Sequence, residues 1–305
     1  MFIVPVTLLT SLVTVRPLFA QEAERMTAEQ LKSYTAAAEK GDSHAQVILA
    51  YAFQTGNGVP VDLDRANELY RKSAAAGNVE AFAQLGWVHA NGLGVPQDPV
   101  EGARWLRKAA EGGHARAMTN LGAAYARGLG VTADDNEARR WYEKAAEAGD
   151  PMGMSNLAYL YYKGQGVVPD PERVFYLYQR AAQLGEPSAL LEYGGFFVDG
   201  NGVEKNVAKG LELIRRAAMS GLVDAAVTLA KFYRDGHGVA RDDVEALTWF
   251  IVAVERKLPE DERIPLDLVS ARDALKERLS EQQRNVAAAR AEEILRKVGG
   301  RSKTG

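Results

Sequence analysis

Four histidines and an abundance of carboxylates are the side chains of this chain best equipped for chemistry. A metal site needs several such ligands at matched spacing, commonly two on one turn of a helix. His44, His89, His114 and His237 lie far apart in sequence, and no two share a helix at ligand spacing. No metal and no cofactor are therefore expected. Paired acids such as Asp134-Asp135 and Asp242-Asp243 have the form of an acid–base dyad. Nothing places an activated nucleophile beside a base, as covalent catalysis requires, and both pairs read as helix starts favoured by the helix dipole. The segments Gly56-Asn57-Gly58-Val59 and Gly128-Leu129-Gly130-Val131 look like phosphate cradles. They follow no strand and lack the lysine of a phosphate-binding loop. They also recur too often to be a site, which makes them turns. The chain has no cysteine, which excludes thiolate ligands, cysteine nucleophiles and disulfides.

The recurrence itself is the strongest feature. Gly-x-Gly-Val begins at 56, 92, 128, 164, 200 and 236, a period of 36 residues. A fixed period of this size marks a solenoid, whose stacked units share a continuous core. Each unit reads as two helices joined by the glycine loop. The first, helix A, has the helical period in Ala45, Leu49, Ala50, Ala52 and Phe53. Column 50 holds only Ala or Gly (Ala50, Gly86, Gly122, Ala158, Gly194, Ala230), so a partner helix must come close there. Column 62 (Asp62, Asp98, Asp134, Asp170, Asn206, Asp242) supplies an N-cap for helix B. Glu101, Glu137 and Glu245 add a capping box, and Pro99 and Pro171 fit the first helical position. Helix B carries Leu69, Trp105, Trp141, Leu177, Leu213 and Trp249 as its bulky column and stops at Gly77 and its repeats. His89 falls in an aromatic column with Phe53, Tyr125 and Tyr161, as a packed imidazole.

The run Ala117-x-x-x-Leu121-Gly122-x-x-Tyr125-x-x-Gly128-x-Gly130-Val131-x-x-Asp134 continues as Ala138-x-x-Trp141-Tyr142-x-Lys144-Ala145-Ala146-Glu147-x-Gly149. This pattern resembles the Sel-one-like repeat (SLR) family, a relative of the tetratricopeptide repeats, over about residues 30–257. The resemblance implies an all-α, right-handed α-solenoid of stacked helical hairpins. It also places a concave groove at columns 44, 47, 51, 54 and 55 of helix A. Those columns bring Tyr51, Trp87, Tyr159 and Tyr162 to the groove, flanked by Asn91, Arg127 and Lys163. Aromatics and arginine are favoured interface anchors, and Asn can pair with an extended peptide backbone. Tyr51 and Trp87 fit either the groove or a core between neighbouring A helices; Tyr162 and Lys163 are assigned to the groove. Glu143 is placed on the solvated side of helix B. Some bacterial members of the family have been linked to penicillin binding or β-lactam hydrolysis, but those are rich in disulfide-linked cysteines, which this chain lacks.

The ends differ from the repeat. Residues 1–20 are an apolar run followed by Pro17-Leu18-Phe19-Ala20, which fits a secretory signal peptide cut after Ala20. An uncleaved membrane anchor and a mis-assigned start are the alternatives. The expected organisation is a signal segment over 1–20, a capping half-repeat over 21–44, and six units over 45–257. C-terminal capping helices follow over 258–298, then a disordered tail over 299–305. Lys257 and Pro259 end the sixth unit, and Ser280-Glu281-Gln282-Gln283 opens the last helix with a capping box. A formal net charge of −3 gives no footprint for nucleic acid. The expectation is a monomeric, non-catalytic scaffold, periplasmic or secreted, that binds a protein or peptide and keeps no membrane span after cleavage. A cell-wall-associated enzyme of the β-lactamase or peptidoglycan-binding sort is the alternative from another class, and a secreted factor meeting a host protein is a third.

Overall fold

The computed structural model describes residues 25–256 and 266–299, and every regular element among them is an α-helix. The signal segment, Lys257, Pro259 and most of the expected tail lie outside the described residues. The helices fall into two compact units, one ending at Pro169 and one starting at Asp170. The first holds α1 (Ala28–Glu39), α2 (Ser43–Thr55), α3 (Leu63–Ala75), α4 (Val79–Asn91), α5 (Pro99–Glu111), α6 (Ala115–Arg127), α7 (Asp135–Glu147) and α8 (Pro151–Lys163). The second holds α9 (Pro171–Gln183), α10 (Pro187–Asp199), α11 (Val207–Met219), α12 (Val223–Asp235), α13 (Asp243–Glu255), α14 (Leu266–Arg278) and α15 (Glu281–Gly299). Within each unit, hairpins of one A and one B helix pack on their neighbours in sequence, the arrangement of an α-solenoid.

Each A helix ends at the first loop glycine in the left-handed conformation, as at Gly128 (φ +69°). The B helix then starts on the column-62 cap: Asp62 accepts from the Arg65 amide and Asp98 from those of Val100 and Glu101. The expected capping boxes at Glu101, Glu137 and Glu245 do not form. The backbone N–H that each would accept from is already bonded across the hairpin: Asp98 N to His89 O, Asp134 N to Tyr125 O and Asp242 N to Tyr233 O, at 2.8–3.0 Å. The three glutamates pair instead with Arg104, Arg140 and Arg290. The boxes at Thr27–Gln30 and Ser280–Gln283 do form.

The small-residue column 50 does what its composition requires. A Cβ on Gly122 would lie 2.7 Å from the Tyr142 ring, and one on Gly86 would lie 2.8 Å from Leu106 Cγ. Ala50, Ala158 and Ala230 are fully buried. On helix B the deepest column is not the one holding the tryptophans. Tyr70, Leu106, Tyr142, Tyr178, Ile214 and Phe250, one residue further on, are the more deeply buried set. Leu69 and Trp105 stay half-buried, Trp105 stacking on Phe82 at 5.8 Å. In the second unit α13 is buried on nearly every face, because α14 and α15 pack on it. Leu268 and Leu275 come from α14, Leu279 from the turn after it, and Ala287 and Ala291 from α15.

The second glycine of the loop sets the spacing between hairpins. A Cβ on Gly94 would lie 2.6 Å from Leu63 Cβ, and one on Gly130 would overlap the Pro99 carbonyl. Leu63 and Pro99 are each the first residue of the preceding B helix. Gly202 has the same φ of +70° as Gly130, yet a Cβ there meets nothing within 4 Å. The pair separates backbone strain from contact. Gly202→Ala should cost only the strain of a left-handed alanine, about 1–2 kcal/mol. Gly130→Ala should cost about 1–3 kcal/mol more, for overpacking. Urea unfolding of the two variants measures the difference, and equal losses would mean that the loop does not bear on its neighbour. Gly122→Leu, which drives a side chain into Tyr142, should also cost about 1–3 kcal/mol or more.

Candidate functional site

Most exposed charged residues of the hairpin helices lie on the B helices, such as Arg65, Glu68 and Lys72 on α3. Helix A is largely consumed by packing and keeps only part of its surface in contact with solvent. In the first unit columns 44, 51, 54 and 55 keep solvent contact, with His44 exposed, except at Ala90, which is buried. Tyr51, Trp87, Tyr159 and Tyr162 are all half-buried, and Lys163 is exposed. Burial raises the pKa of the Tyr51 phenol. Column 47 departs from the groove assignment in this unit: Val47, Ala83, Thr119 and Ser155 are buried. Thr119 turns inward to donate to Asp150 at 2.6 Å.

Lys163 draws the best-defined cluster together. Its Nζ lies 5.7 Å from the Tyr159 ring centre and 5.4 Å from that of Tyr162, within cation–π range of both. All three residues sit in the last turn of α8, where a cation also complements the helix dipole. Arg127 occupies the matching last turn of α6 and is half-buried, with its charge acting on the Tyr142 phenol. Asn91 turns back on its own helix, its amide donating to Trp87 O at 2.9 Å. One donor hoped for in peptide pairing is thereby spent. Glu143 does not lie on a solvated face: it is half-buried, paired with Arg139 at 2.9 Å and 3.5 Å from the Tyr161 hydroxyl.

In the second unit the same columns line a cavity of about 400 Å³ between α10 and α12. Gly195 and Lys231 come from column 51, Val198 and Arg234 from column 54, and Asp199 and Asp235 from column 55. Here column 47 does reach the space, through Leu191 and Val227. The deepest polar group is Glu192, 5% exposed, with no hydrogen-bond partner for its Oε1 among the described residues.

Two sets of polar residues escaped the sequence reading. Column 48, one residue from an expected groove position, runs Ile48, Gln84, Asn120, Asn156, Glu192 and Thr228. Its run of polar types on a helix otherwise rich in apolar residues was the available signal. Column 42 (Asp42, Asn78, His114, Asp150, Glu186) caps helix A, and His114 is its least expected member. His114 Nδ1 accepts from the Ala117 amide at 3.0 Å. The neutral ring therefore carries its proton on Nε2 and donates to Glu80 Oε2 at 3.0 Å. Burial acts to raise the Glu80 pKa, but hydrogen bonds from His114 and Gln84 outweigh it and hold the carboxyl below its usual value. His89 is half-buried in its aromatic column. No group of three or more His, Asp or Glu residues suited to a metal occurs among the described residues.

Comparison with known proteins agrees with this geometry. The Sel1 repeat pattern matches six consecutive segments, 43–78, 79–114, 115–150, 151–186, 187–222 and 223–257. A protective antigen present in uropathogenic Escherichia coli strains, with an SLR fold, is 27% identical and superposes with a TM-score of 0.75. That match covers 93% of this chain but 61% of the antigen, so the chain spans less than two thirds of its relative. A Sel1 repeat protein from Oxalobacter formigenes is 28% identical with a TM-score of 0.66, over 78% of this chain and 90% of that one. No curated protein matches the sequence. Six matched repeats, each an A and a B helix joined by the same glycine loop, place the chain in the Sel1 repeat family.

Proposed function

We propose that this protein is a non-catalytic adaptor that binds a partner protein or peptide along the exposed face of its A helices, outside the cytoplasm. Sel1 repeats generally mediate protein–protein interaction, on a fold that is generally a non-catalytic scaffold. The observation that carries the reading is the Lys163 ammonium set over two partly exposed tyrosine rings. Aromatic and cationic groups of this kind are the common energetic centres of interfaces. An extended segment laid there would set an acidic group against Lys163 and an apolar side chain against Tyr162.

Location outside the cytoplasm is supported by the apolar residues 1–15 and the small Ala20 before a polar stretch. The similar protein from uropathogenic Escherichia coli is a protective antigen, which agrees with exposure beyond the cell interior. No helix among the described residues is long and apolar enough to cross a membrane.

Two measurements test the proposal. Tyr162→Ala combined with Lys163→Ala should weaken capture of the partner from host extract by at least about tenfold, with the helical circular dichroism unchanged. The control is Glu147→Ala, an exposed position on α7, which should change little. A folded double variant that captures the same proteins as wild type would rule out this face. For location, N-terminal sequencing of protein from its native host should begin at Gln21; retained Met1 in a soluble cytoplasmic fraction would refute export.

A further inference from the structure

The cavity between α10 and α12 belongs to the second unit and stands apart from the tyrosine–lysine cluster in its chemistry. Its walls are apolar, with Leu191, Val198, Ile214 and Phe232 on the sides. Its polar lining holds four carboxylates, Glu192, Asp199, Asp224 and Asp235, against two permanent cations, Lys231 and Arg234. Arg234 is engaged by Asp235 through two bonds of 2.7 and 2.8 Å. Lys231 is an exposed residue. The interior of the cavity is left to Glu192, nearly wholly buried, with Oε1 unpartnered.

A buried carboxyl with an open acceptor has two ways to be satisfied: it keeps a proton, or a cation takes the proton's place. Burial, reinforced by Asp224 and Glu186, pushes the Glu192 pKa up to about 8, so at neutral pH the free protein keeps the proton. α11 contributes only Ile214 to the lining and α9 contributes nothing. The charged groups around Glu192 are therefore Glu186 at the start of α10, Asp199 at its end, and Asp224, Lys231, Arg234, Asp235 and His237 on α12 and its loop. A hydrated metal ion suits this site poorly, because the walls are hydrocarbon. An anion suits it poorly too, because Asp224 and Glu192 would oppose it. A cation on a flexible hydrocarbon stem matches both the sleeve and the charge.

We propose that this cavity binds an alkylammonium group, with its methylene stem against Leu191, Val198 and Ile214 and its head on Glu192. A lysine side chain of a bound segment and a free alkyl diamine present the same chemistry. Binding exchanges the proton on Glu192 for the ammonium, so one proton is released at neutral pH.

Titration calorimetry on the purified chain tests this with three probes. They are the blocked peptide acetyl-Gly-Gly-Lys-Gly-Gly-amide, the same peptide acetylated on the lysine, and 1,5-diaminopentane. At least one amine should bind, and the acetylated peptide should bind at least about tenfold more weakly. Affinity should rise from pH 6.5 to about pH 8 and then level, because the ammonium stays charged to about pH 10. The binding heat near pH 7 should vary with the ionisation heat of the buffer. Diaminopentane alone would mark a site for free amines, and the peptide alone a site for a lysine side chain. Glu192→Gln should weaken binding at least about tenfold and flatten the pH profile. Should that variant not fold, the wild-type pH profile and the acetyl comparison still decide. No binding heat from either amine, equal binding of the acetylated peptide, or affinity that rises as pH falls would overturn the proposal.

Discussion

Most hairpin junctions depend on how closely the second loop glycine approaches the first residue of the preceding B helix, Gly202 being the exception. At Gly94 and Gly130 there is no room for a methyl group, and at Gly58 a Cβ would lie 2.6 Å from Met26 O. The positive φ at these positions makes glycine favourable, but the contact makes it necessary. Asn67 reinforces the junction, its amide donating to Leu93 O at 2.8 Å. At Leu63, Pro99 and Asp135 the contact includes backbone or Cβ and is indifferent to most of the neighbour's side chain, whereas at Val207 the γ-methyls make it, 2.9 Å from a Cβ on Gly238.

The hairpin is tied in a complementary way. The cap residue's amide reaches back to helix A, while its side chain opens helix B. Both ends of the loop are thus held by backbone atoms, and the two helices meet through a column of Ala and Gly. Helix A spends most of its circumference on these contacts and on its neighbours. What it leaves to solvent are column 44 and the strip around columns 51, 54 and 55. That strip carries few of the contacts repeated in every unit, so its residue types vary from unit to unit: Tyr, Trp, Ala, Gly and Lys in column 51 alone. The repeated scaffold and the unrepeated strip follow from one division of labour.

That division also governs what could be read from sequence. Everything enforced by local geometry recurs every 36 residues, and so the hairpins, loops, B-helix caps and small-residue column were legible. The capping boxes misled because the motif is local while its failure is not: the amide it needs was claimed from across the hairpin. The bulky tryptophan column was legible, but sequence did not show that the residue after it is the deeper one, as Tyr142 is in its contact with Gly122. Column 47 depends on local depth: its members in the first unit, such as Ser155, are buried, whereas Leu191 lines a cavity. Glu192 taken alone reads as a solvated glutamate until the neighbouring helices are in place, and only the polar run of column 48 pointed elsewhere.

The indifference of the loop contact to the neighbour's side chain has a consequence for the history of such chains. A junction built from backbone and a hydrogen atom needs no matched pair of mutations when a unit is copied. A tandem duplication of 36 codons inserts a hairpin that already fits on both sides, and a deletion leaves ends that already fit each other. Length is then an inexpensive variable for this architecture, and relatives of quite different size are its natural outcome.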